Sequence, residues 1–484
     1  MNRTASILIL FVFSLQSLMP DNLIWAEEIN ARAAQGRLTE NLQLRERGRY
    51  LDTLAKEAAV APKARNFLLD FGGYADFDYI DYHNDDNNRE VRDVYDAEIL
   101  VDSRIWVKGI VRHQLGEKNP HHFEHVVFAQ FRDLYMSSWP KEELLLGHRD
   151  DNVGPRVDLL YLDLDLQYAT FRSGRQYLNL GQGIALADIY DALKLTLEFF
   201  KFKFESFVAK TVPFTENIDF SVPGFDKKSD RKFVGAQTIW TPKDNLSLYN
   251  YFLIQHDDSK PNPDDGQDFA YHSQYWSLGG IYQAIRGVSL WGEYIFETGS
   301  SAVYGEDARH PVLAHGLDLG ASYTVPCWMK PEVSVEYAFG SGDTDRSSVT
   351  NTEGGNLNGY DHNFLPLGFF PNGYALAPTL SNIQILRAGV SLKPFEKIWS
   401  IRKLEIISNG YAYWKAVAKG GVYDIDATQP SSDIGREIDF AVAWPVFSDL
   451  FISVSYGLFF PGAAFPAESN DRESNLSLSA SFSF

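Results

Sequence analysis

Apolar and polar positions alternate along most of this chain. The alternation is unbroken over 475–484, where leucine, alanine and phenylalanine alternate with small polar residues, and it recurs in 450–460, 333–339, 288–297 and 99–112. Successive side chains of a β-strand point to opposite faces, so each stretch collects its apolar residues on one face. The pattern therefore predicts strands that have one apolar and one polar face.

These stretches recur from residue 67 to residue 484 with no helical pattern between them, which is too long for an ordinary β-sandwich. Many of the polar faces carry full charges, and we expect Phe484 to be the last residue of the last strand. Roughly sixteen to eighteen candidate strands can be counted, and single-chain bacterial barrels take even numbers. We therefore predict an all-β fold, a transmembrane antiparallel β-barrel of about 18 strands formed by 67–484.

The first 66 residues do not share this pattern. Arg3 precedes an apolar run over 7–13, and Ala26 is a suitable last residue before cleavage. The run is shorter than the ~20 residues of a membrane-spanning helix, so we interpret 1–26 as a signal peptide. Residues 27–66 carry leucines at helical spacing among charged residues, which predicts a short N-terminal periplasmic helical segment.

The composition narrows the class of protein. The mean hydropathy is −0.24, as expected if only alternate strand residues touch lipid. A formal net charge of −20 argues against a nucleic-acid partner, because no basic face is available to release counterions from phosphates. Aromatic residues make up 14% of the chain, which suits aromatic girdles at two membrane interfaces, and the single Cys327 permits no intramolecular disulfide.

One long irregular stretch, 340–382, contains an apolar group at 364–371. Long external loops and short periplasmic turns are normal in outer-membrane barrels. A fully solvated loop does not need an apolar group of this size. We therefore expect 340–382 to fold inward, pack on the barrel wall and narrow the pore.

The most specific local features are the sequence Phe-Arg-Ser-Gly-Arg-Gln at 171–176, the Gly-Gln-Gly at 181–183, and the Tyr-Asp-Ala-Leu at 190–193. Two further stretches, 337–343 and 433–439, fit the same pattern. In these motifs the sequence resembles the alginate export family of outer-membrane porins, over roughly the whole of 67–484. The resemblance implies an eighteen-stranded barrel in the bacterial outer membrane that passes a polyuronate through an arginine-rich constriction.

A polyuronate carries one carboxylate per sugar, so a lumen lined with Arg and Lys would attract it, while mixed Asp and Glu would keep binding loose. The planar guanidinium of Arg also matches a carboxylate with two hydrogen bonds. We expect Arg172 and Arg175, on the family-like motif, to be the first residues of this lining. The other candidates are Arg104, Lys108, Arg112, Lys201, Lys203, Arg387 and Lys415. Each of these residues could instead be an ordinary lumen charge paired with a neighbouring carboxylate.

Three functions are compatible with these features. The first is passive export of an anionic, alginate-like exopolysaccharide, in contact with outer-membrane lipid and lipopolysaccharide and working with periplasmic polysaccharide-secretion proteins. The second is a general or nutrient-uptake porin for small anionic solutes. The third is a barrel enzyme or an adhesin. The sequence contains no G-x-S-x-G, H-E-x-x-H or P-loop motif, and we predict no catalytic residue, no metal site and no cofactor.

Overall fold

The computed structural model describes residues 67–84, 97–114, 122–139, 153–166, 168–213, 215, 217–218, 229–260, 270–303, 306–350, 356, 359–370, 372–424 and 426–484. The segments predicted as signal peptide, 1–26, and as periplasmic helix, 27–66, lie outside this part of the chain. Among the described residues, no helix is both long and apolar enough to cross a membrane.

Eighteen strands and one short 3₁₀ helix make up the described structure. The strands are β1 (Phe67–His83), β2 (Ala97–Gln114), β3 (His122–Trp139), β4 (Val153–Asp165), β5 (Ala169–Asn179), β6 (Ala187–Phe199), β7 (Phe202–Thr211), β8 (Arg231–Lys243), β9 (Leu246–Asp257), β10 (His272–Ile285), β11 (Val288–Val303), β12 (Glu306–Thr324), β13 (Glu332–Gly340), β14 (Ile383–Leu392), β15 (Glu405–Lys415), β16 (Asp433–Pro445), β17 (Leu450–Pro461) and β18 (Glu473–Ser483), with the 3₁₀ helix at Ala467–Ser469.

Each strand pairs antiparallel with its neighbours in the sequence, and β1 pairs with both β2 and β18. The last residue completes this closure, because Phe484 N–H donates to the Gly73 carbonyl at 2.9 Å and Gly73 N–H donates to the Phe484 carbonyl at 3.0 Å. A closed sheet leaves no strand edge unpaired, which is the condition for crossing a bilayer with strands. The predicted eighteen-stranded antiparallel barrel is confirmed.

The two faces of the wall are opposite in character. Large apolar side chains such as Phe71, Val107 and Leu160 are exposed on the outer face. Charged side chains such as Arg104 and Glu293 are buried on the inner face. This distribution is the reverse of that in a water-soluble sandwich, and it fits a wall with lipid outside and a polar lumen inside.

The connections at the two ends of the barrel differ in length. At the end that holds the start of β1 and the end of β18, several hairpins close in two residues, as at 200–201, 244–245 and 286–287. We call this the short-turn end. The opposite, long-loop end carries the connections 180–186 and 341–382. In outer-membrane barrels short turns face the periplasm and long loops face the outside.

The main core of the protein lies inside the barrel, where the connection 341–382 folds inward. We call this connection the inserted loop. Its Phe364 and Leu380 are fully buried and belong to one apolar cluster with wall residues such as Tyr275 and Tyr413. The ring of Phe364 meets that of Tyr275 edge to face, with centroids 6.4 Å apart. The predicted inward packing of this segment on the wall is therefore confirmed.

Candidate functional site: the lumen wall

Carboxylates of the wall hold the inserted loop on one side of the lumen. Glu297 on β11 accepts a hydrogen bond from Leu365 N–H at 2.9 Å, and Tyr275 on β10 donates its hydroxyl to the Leu365 carbonyl at 2.7 Å. Glu297 also accepts from the Tyr271 hydroxyl at 2.7 Å. Both backbone groups of Leu365 are thus satisfied by the wall, which removes the cost of burying them.

A second carboxylate holds the loop several strands further round the barrel. Glu437 on β16 accepts from three successive backbone N–H groups, those of Tyr374 at 2.6 Å, Ala375 at 2.7 Å and Leu376 at 3.3 Å. The Tyr413 hydroxyl donates to the same carboxylate at 3.1 Å. Hydrogen bonds to an ionised group are stronger than neutral ones, so this carboxylate is a firm attachment point.

The β5–β6 connection, 180–186, also turns into the lumen and meets the inserted loop. Gln182 N–H donates to Glu293 on β11 at 2.7 Å. Gly368 N–H and Phe369 N–H of the inserted loop donate to the Ile184 and Gly183 carbonyls at 3.0 and 2.9 Å. The inserted loop therefore bridges the lumen between the β5–β6 connection and β16, and it narrows the passage.

A row of charges crosses the wall on β1 to β4. In the strand register Tyr74 lies opposite Arg104, Arg104 opposite Arg132, and Arg132 opposite Arg156. Arg104 is buried, with Asp102 at 3.0 Å, Asp158 at 3.3 Å and the Tyr74 hydroxyl at 2.7 Å. We call this the upper row.

Two arginines of the upper row, Arg132 and Arg156, face the water in the lumen. Arg132 pairs with Asp102 at 3.0 Å, and Arg156 is exposed and makes no ion pair with any described residue. These two positive charges are direct neighbours across β3 and β4 and repel each other. An anion bound between them would relieve this repulsion.

A second row lies nearer the short-turn end. Val126 on β3 is opposite Asp163, Asp163 is opposite Arg172, and Arg172 is opposite Lys194. Val126 precedes Arg132 by six residues along β3, which separates the two rows by roughly 20 Å. We call this the lower row.

Two groups of ion pairs lie at this end of the wall. Arg172 binds Asp163 with two hydrogen bonds of 2.7 and 2.8 Å and stacks over the Tyr161 ring at 4.1 Å. On the next two strands Lys194 and Lys203 flank Glu205, at 3.5 and 3.4 Å.

In these pairs the base is more exposed than the acid. The exposed side-chain fractions are 21% for Arg132 against 8% for Asp102, and 40% for Lys203 against 11% for Glu205. Arg172 and Asp163 differ in the same sense, with 14% and 8%. The wall of β3 to β7 thus contains both signs of charge, and in these three pairs the base is the more exposed partner. The exposed Glu198, opposite Lys203 in the register, adds a negative charge to the same face.

Two of the other predicted lining residues, Arg387 and Lys415, have structural partners. Arg387 on β14 is buried against Glu336 at 3.2 Å, and Lys108 on β2 is buried on the same inner face as Arg104. Lys415 ends β15, and its ammonium donates to the Ala427 and Gln429 carbonyls at 2.5 and 3.2 Å, so it holds the following connection. Arg112 lies in β2, and its side chain is outside the described part of the structure.

The prediction that Arg175 lines the lumen is wrong. Its register partners are Leu160 and Asp191, both of which are exposed on the outer face of the barrel. Arg175 pairs there with Asp191, with two hydrogen bonds of 2.8 and 3.1 Å. Arg172 and Arg175 are three residues apart, and in a strand an odd separation puts two side chains on opposite faces.

The prediction that Lys201 lines the lumen is also wrong. Lys201 lies in the two-residue turn between β6 and β7, where it is exposed and donates to the Pro242 carbonyl at 2.6 Å. Apolar neighbours in the sequence suggested a strand position, but Phe199 and Phe202 on either side belong to two different strands.

Several lumen-facing bases of the described strands were missed, among them Arg132, Arg156 and Lys194. Lys194 sits between Leu193 and Leu195 in an alternating stretch, so the criterion that selected the other candidates could have found it. Arg156 follows Pro155 next to an irregularity in the β3–β4 register, where alternation gives no signal.

A profile of the family described as alginate export matches residues 80–478. The chain belongs to the alginate export family. Family membership and the closed barrel together identify it as an outer-membrane porin of the bacterial cell. No curated protein matches its sequence.

Solved barrels share the fold of this family member at low sequence identity. OccAB4 of Acinetobacter baumannii superposes with a TM-score of 0.55 at 12% identity, covering 86% of this chain and 98% of that one. OccK8 (OprE) of Pseudomonas aeruginosa gives a TM-score of 0.53 at 12% identity with the same coverage. OccK5 (OpdH) of the same organism gives 0.51 at 11% identity, also with the same coverage.

Proposed function

We propose that this porin exports an anionic exopolysaccharide, an alginate-like polyuronate, by passive passage along the basic side of its lumen. The observation that carries the proposal is the arrangement of ion pairs on β3 to β7, in which the bases face the water and the acids lie behind them. Periplasmic secretion proteins would deliver the polymer to the short-turn end, and the chain itself would supply no energy.

The chemistry of the substrate fits this wall. A polyuronate presents a carboxylate on each sugar. An arginine that is paired with a wall carboxylate still has N–H groups that can donate to a carboxylate of the polymer. Each acid behind a base keeps the net attraction small, so the polymer is released as easily as it is bound. The carboxylates on the opposite side, Glu293, Glu297 and Glu437, accept hydrogen bonds from backbone N–H groups of the two inward connections.

The test is single-channel conductance of the refolded porin in planar bilayers, with and without polyuronate. The lumen variant is Arg156→Gln/Lys194→Gln/Lys203→Gln. A control variant, Lys243→Gln/Arg286→Gln/Arg402→Gln, removes the same charge from exposed positions at the short-turn end. We expect an anion-selective current that polyuronate blocks. The half-blocking concentration should rise about tenfold or more in the lumen variant only, since three charged contacts contribute roughly 0.5–1 kcal/mol each.

Cation selectivity without block by polyuronate would contradict export of an acidic polymer. Block that is equal in the lumen variant and the control would assign the effect to a different part of the porin.

The inserted loop supports a second candidate, uptake of small anionic solutes, because a bridged lumen favours narrow permeants. The two candidates differ in their dependence on polymer length. Export predicts that block strengthens as oligouronates become longer, since more carboxylates contact the two basic rows at once. Uptake predicts permeation of monomeric uronate into proteoliposomes and no additional block by long chains.

A further inference from the structure

The outer face of the barrel carries a row of basic side chains near the long-loop end. Arg175 is opposite Asp191, Asp191 opposite Lys210, Lys210 opposite Lys232, and Lys232 opposite His256. The ring of His256 stacks on that of His272 on β10, with centroids 4.4 Å apart. We call Arg175, Lys210, Lys232, His256 and His272 the exterior belt.

An aromatic stack on the same strands marks the opposite membrane interface, from which the height of the exterior belt in the membrane can be measured. Phe202 on β7 stacks between Phe199 and Trp240, at 6.0 and 5.8 Å, on the outer face at the short-turn end. Such outward aromatic residues mark a membrane interface. Lys210 follows Phe202 by eight residues on β7, and Lys232 precedes Trp240 by eight residues on β8.

Eight residues of strand are about 26 Å long, and a strand tilt of ~40° reduces this to about 20 Å along the membrane normal. The outward-facing residues between the two levels are uncharged: Phe204, Ser206, Val208, Val234, Ala236 and Thr238. The apolar band of an outer-membrane barrel is about 25 Å tall. The exterior belt therefore lies about 5 Å inside the outer edge of this band, a distance that extended Lys and Arg side chains span to reach the headgroups of the outer leaflet.

The two lysines of the exterior belt are available to a ligand. Lys210 and Lys232 are exposed and pair with Asp230 at 3.0 Å and Asp258 at 2.5 Å, two acids that lie beyond the strand ends in the loops. Exposed ion pairs of this kind contribute little, so a stronger anion can displace the carboxylate. Long basic side chains at a membrane interface extend toward lipid phosphates.

We propose that the exterior belt binds the phosphate groups of an anionic glycolipid in the outer leaflet. Charge complementarity selects a phosphorylated headgroup, because a phosphate accepts several charged hydrogen bonds from neighbouring Arg and Lys side chains. The position of the belt favours a phosphate carried by a lipid over one free in solution, because the side chains extend from the lipid-facing surface. This lipid site is independent of the substrate that passes through the lumen.

The test is native mass spectrometry of the full-length porin with a phosphorylated lipid A-type glycolipid and with its dephosphorylated form. The belt variant is Arg175→Gln/Lys210→Gln/Lys232→Gln, and the control is Lys243→Gln/Arg286→Gln/Arg402→Gln at the short-turn end. We expect the wild type and the control to retain the phosphorylated lipid, and the belt variant to lose at least tenfold in retained lipid. The dephosphorylated lipid should bind all three proteins equally weakly.

Equal retention of the phosphorylated lipid by the belt variant and the wild type would overturn the proposal, as would equal retention of both lipids by the wild type. Folding of each variant is checked by the shift in gel mobility on heating. If the triple variant does not fold, Lys210→Gln/Lys232→Gln is compared with Lys243→Gln/Arg286→Gln in the same way.

Discussion

Glu437 is a main attachment point of the inserted loop on the barrel wall. Its carboxylate accepts the N–H groups of Tyr374, Ala375 and Leu376, all on a stretch that has no strand partner. Without this acceptor the three N–H groups would have no acceptor in the protein, at a cost of about 1–3 kcal/mol for each group that water does not reach.

We therefore expect Glu437→Gln to loosen this stretch while leaving the barrel closed. A glutamine keeps one carbonyl acceptor but loses the charge, which should weaken the attachment by about 2 kcal/mol, or about thirtyfold in local opening. Hydrogen exchange of the amides of residues 374–376 measures the change. Glu405→Gln, at the short-turn end of β15, is the matched control and should leave these amides unchanged. Protection that is equal in both variants would contradict the role of Glu437.

Gly368 gives a second prediction about the loop, this time from close packing. A Cβ at Gly368 would lie 2.1 Å from the Gly183 carbonyl oxygen, and backbone atoms cannot move aside as a side chain can. Gly368→Ala should cost about 1–3 kcal/mol of local stability and separate the loop from the β5–β6 connection. Faster cleavage of the loop by added protease measures this. Gly410→Ala, where a Cβ meets nothing within 4 Å, should leave the cleavage rate unchanged.

Individual lining residues were the part of the site that the sequence predicted least well. Arg172 lies on the lumen face and Arg175 on the outer face, although both belong to the same motif. The alternation of strand side chains, applied to their separation, would have shown that only one could face the lumen. Proximity to a family motif carried no information about which face a residue occupies.

Among the connections, 416–432 between β15 and β16 contains a carboxyl group with an unusual acidity. Burial raises the pKa of Asp424 to about 6, and the nearby Asp426 carboxylate adds to the rise. The folded connection therefore binds the proton more tightly than the unfolded chain does. Its packing should be most stable below pH 4 and lose stability as the pH rises through about 6.

We expect this connection to open more readily at pH 7.5 than at pH 5. The folded pKa of about 6 lies about one unit above pH 5, so the difference between the two pH values is at most about 1.4 kcal/mol. Hydrogen exchange of peptides covering 416–432, corrected for intrinsic rates, measures the difference. Asp424→Asn should exchange equally at both pH values, because an amide does not ionise. A pH dependence that persists in Asp424→Asn would assign it to another group.

Strands and connections differed in how far the sequence predicted them. Strands such as β17 and β18 were predictable because one face meets lipid and the other the lumen, so apolar and polar residues alternate along them. The inward fold of the inserted loop was predictable from its apolar group alone. Its attachment points were not, because Glu297 and Glu437 are distant in sequence from the amides that they bind.

The whole barrel does not depend on the inserted loop for its closure. Every wall strand pairs with two neighbours, and the ends of the loop are adjacent, with Asn382 N–H donating to the Ser341 carbonyl at 3.1 Å. A short Gly-Ser linker can therefore replace the residues between Gly342 and Ser381.

This deletion should raise single-channel conductance about twofold or more, because the lumen of a barrel with this many strands is wide enough for an aqueous channel once it is cleared. Planar-bilayer recording measures the change, and retention of heat-dependent gel mobility shows that the barrel still forms. A folded deletion variant with unchanged conductance would mean that another part of the lumen limits the current.

The difference in exposure between base and acid in the lumen ion pairs determines how far the electric field of the wall reaches into the lumen. The acids behind Arg132, Arg172 and Lys203 make these pairs on the wall small dipoles with their positive ends toward the water. The field of a dipole decays faster with distance than that of a charge, and salt shortens it further. Such a wall acts most strongly on a polymer or an ion in contact with it, so in a passage narrowed by the inserted loop contact, rather than long-range attraction, would decide what is guided through.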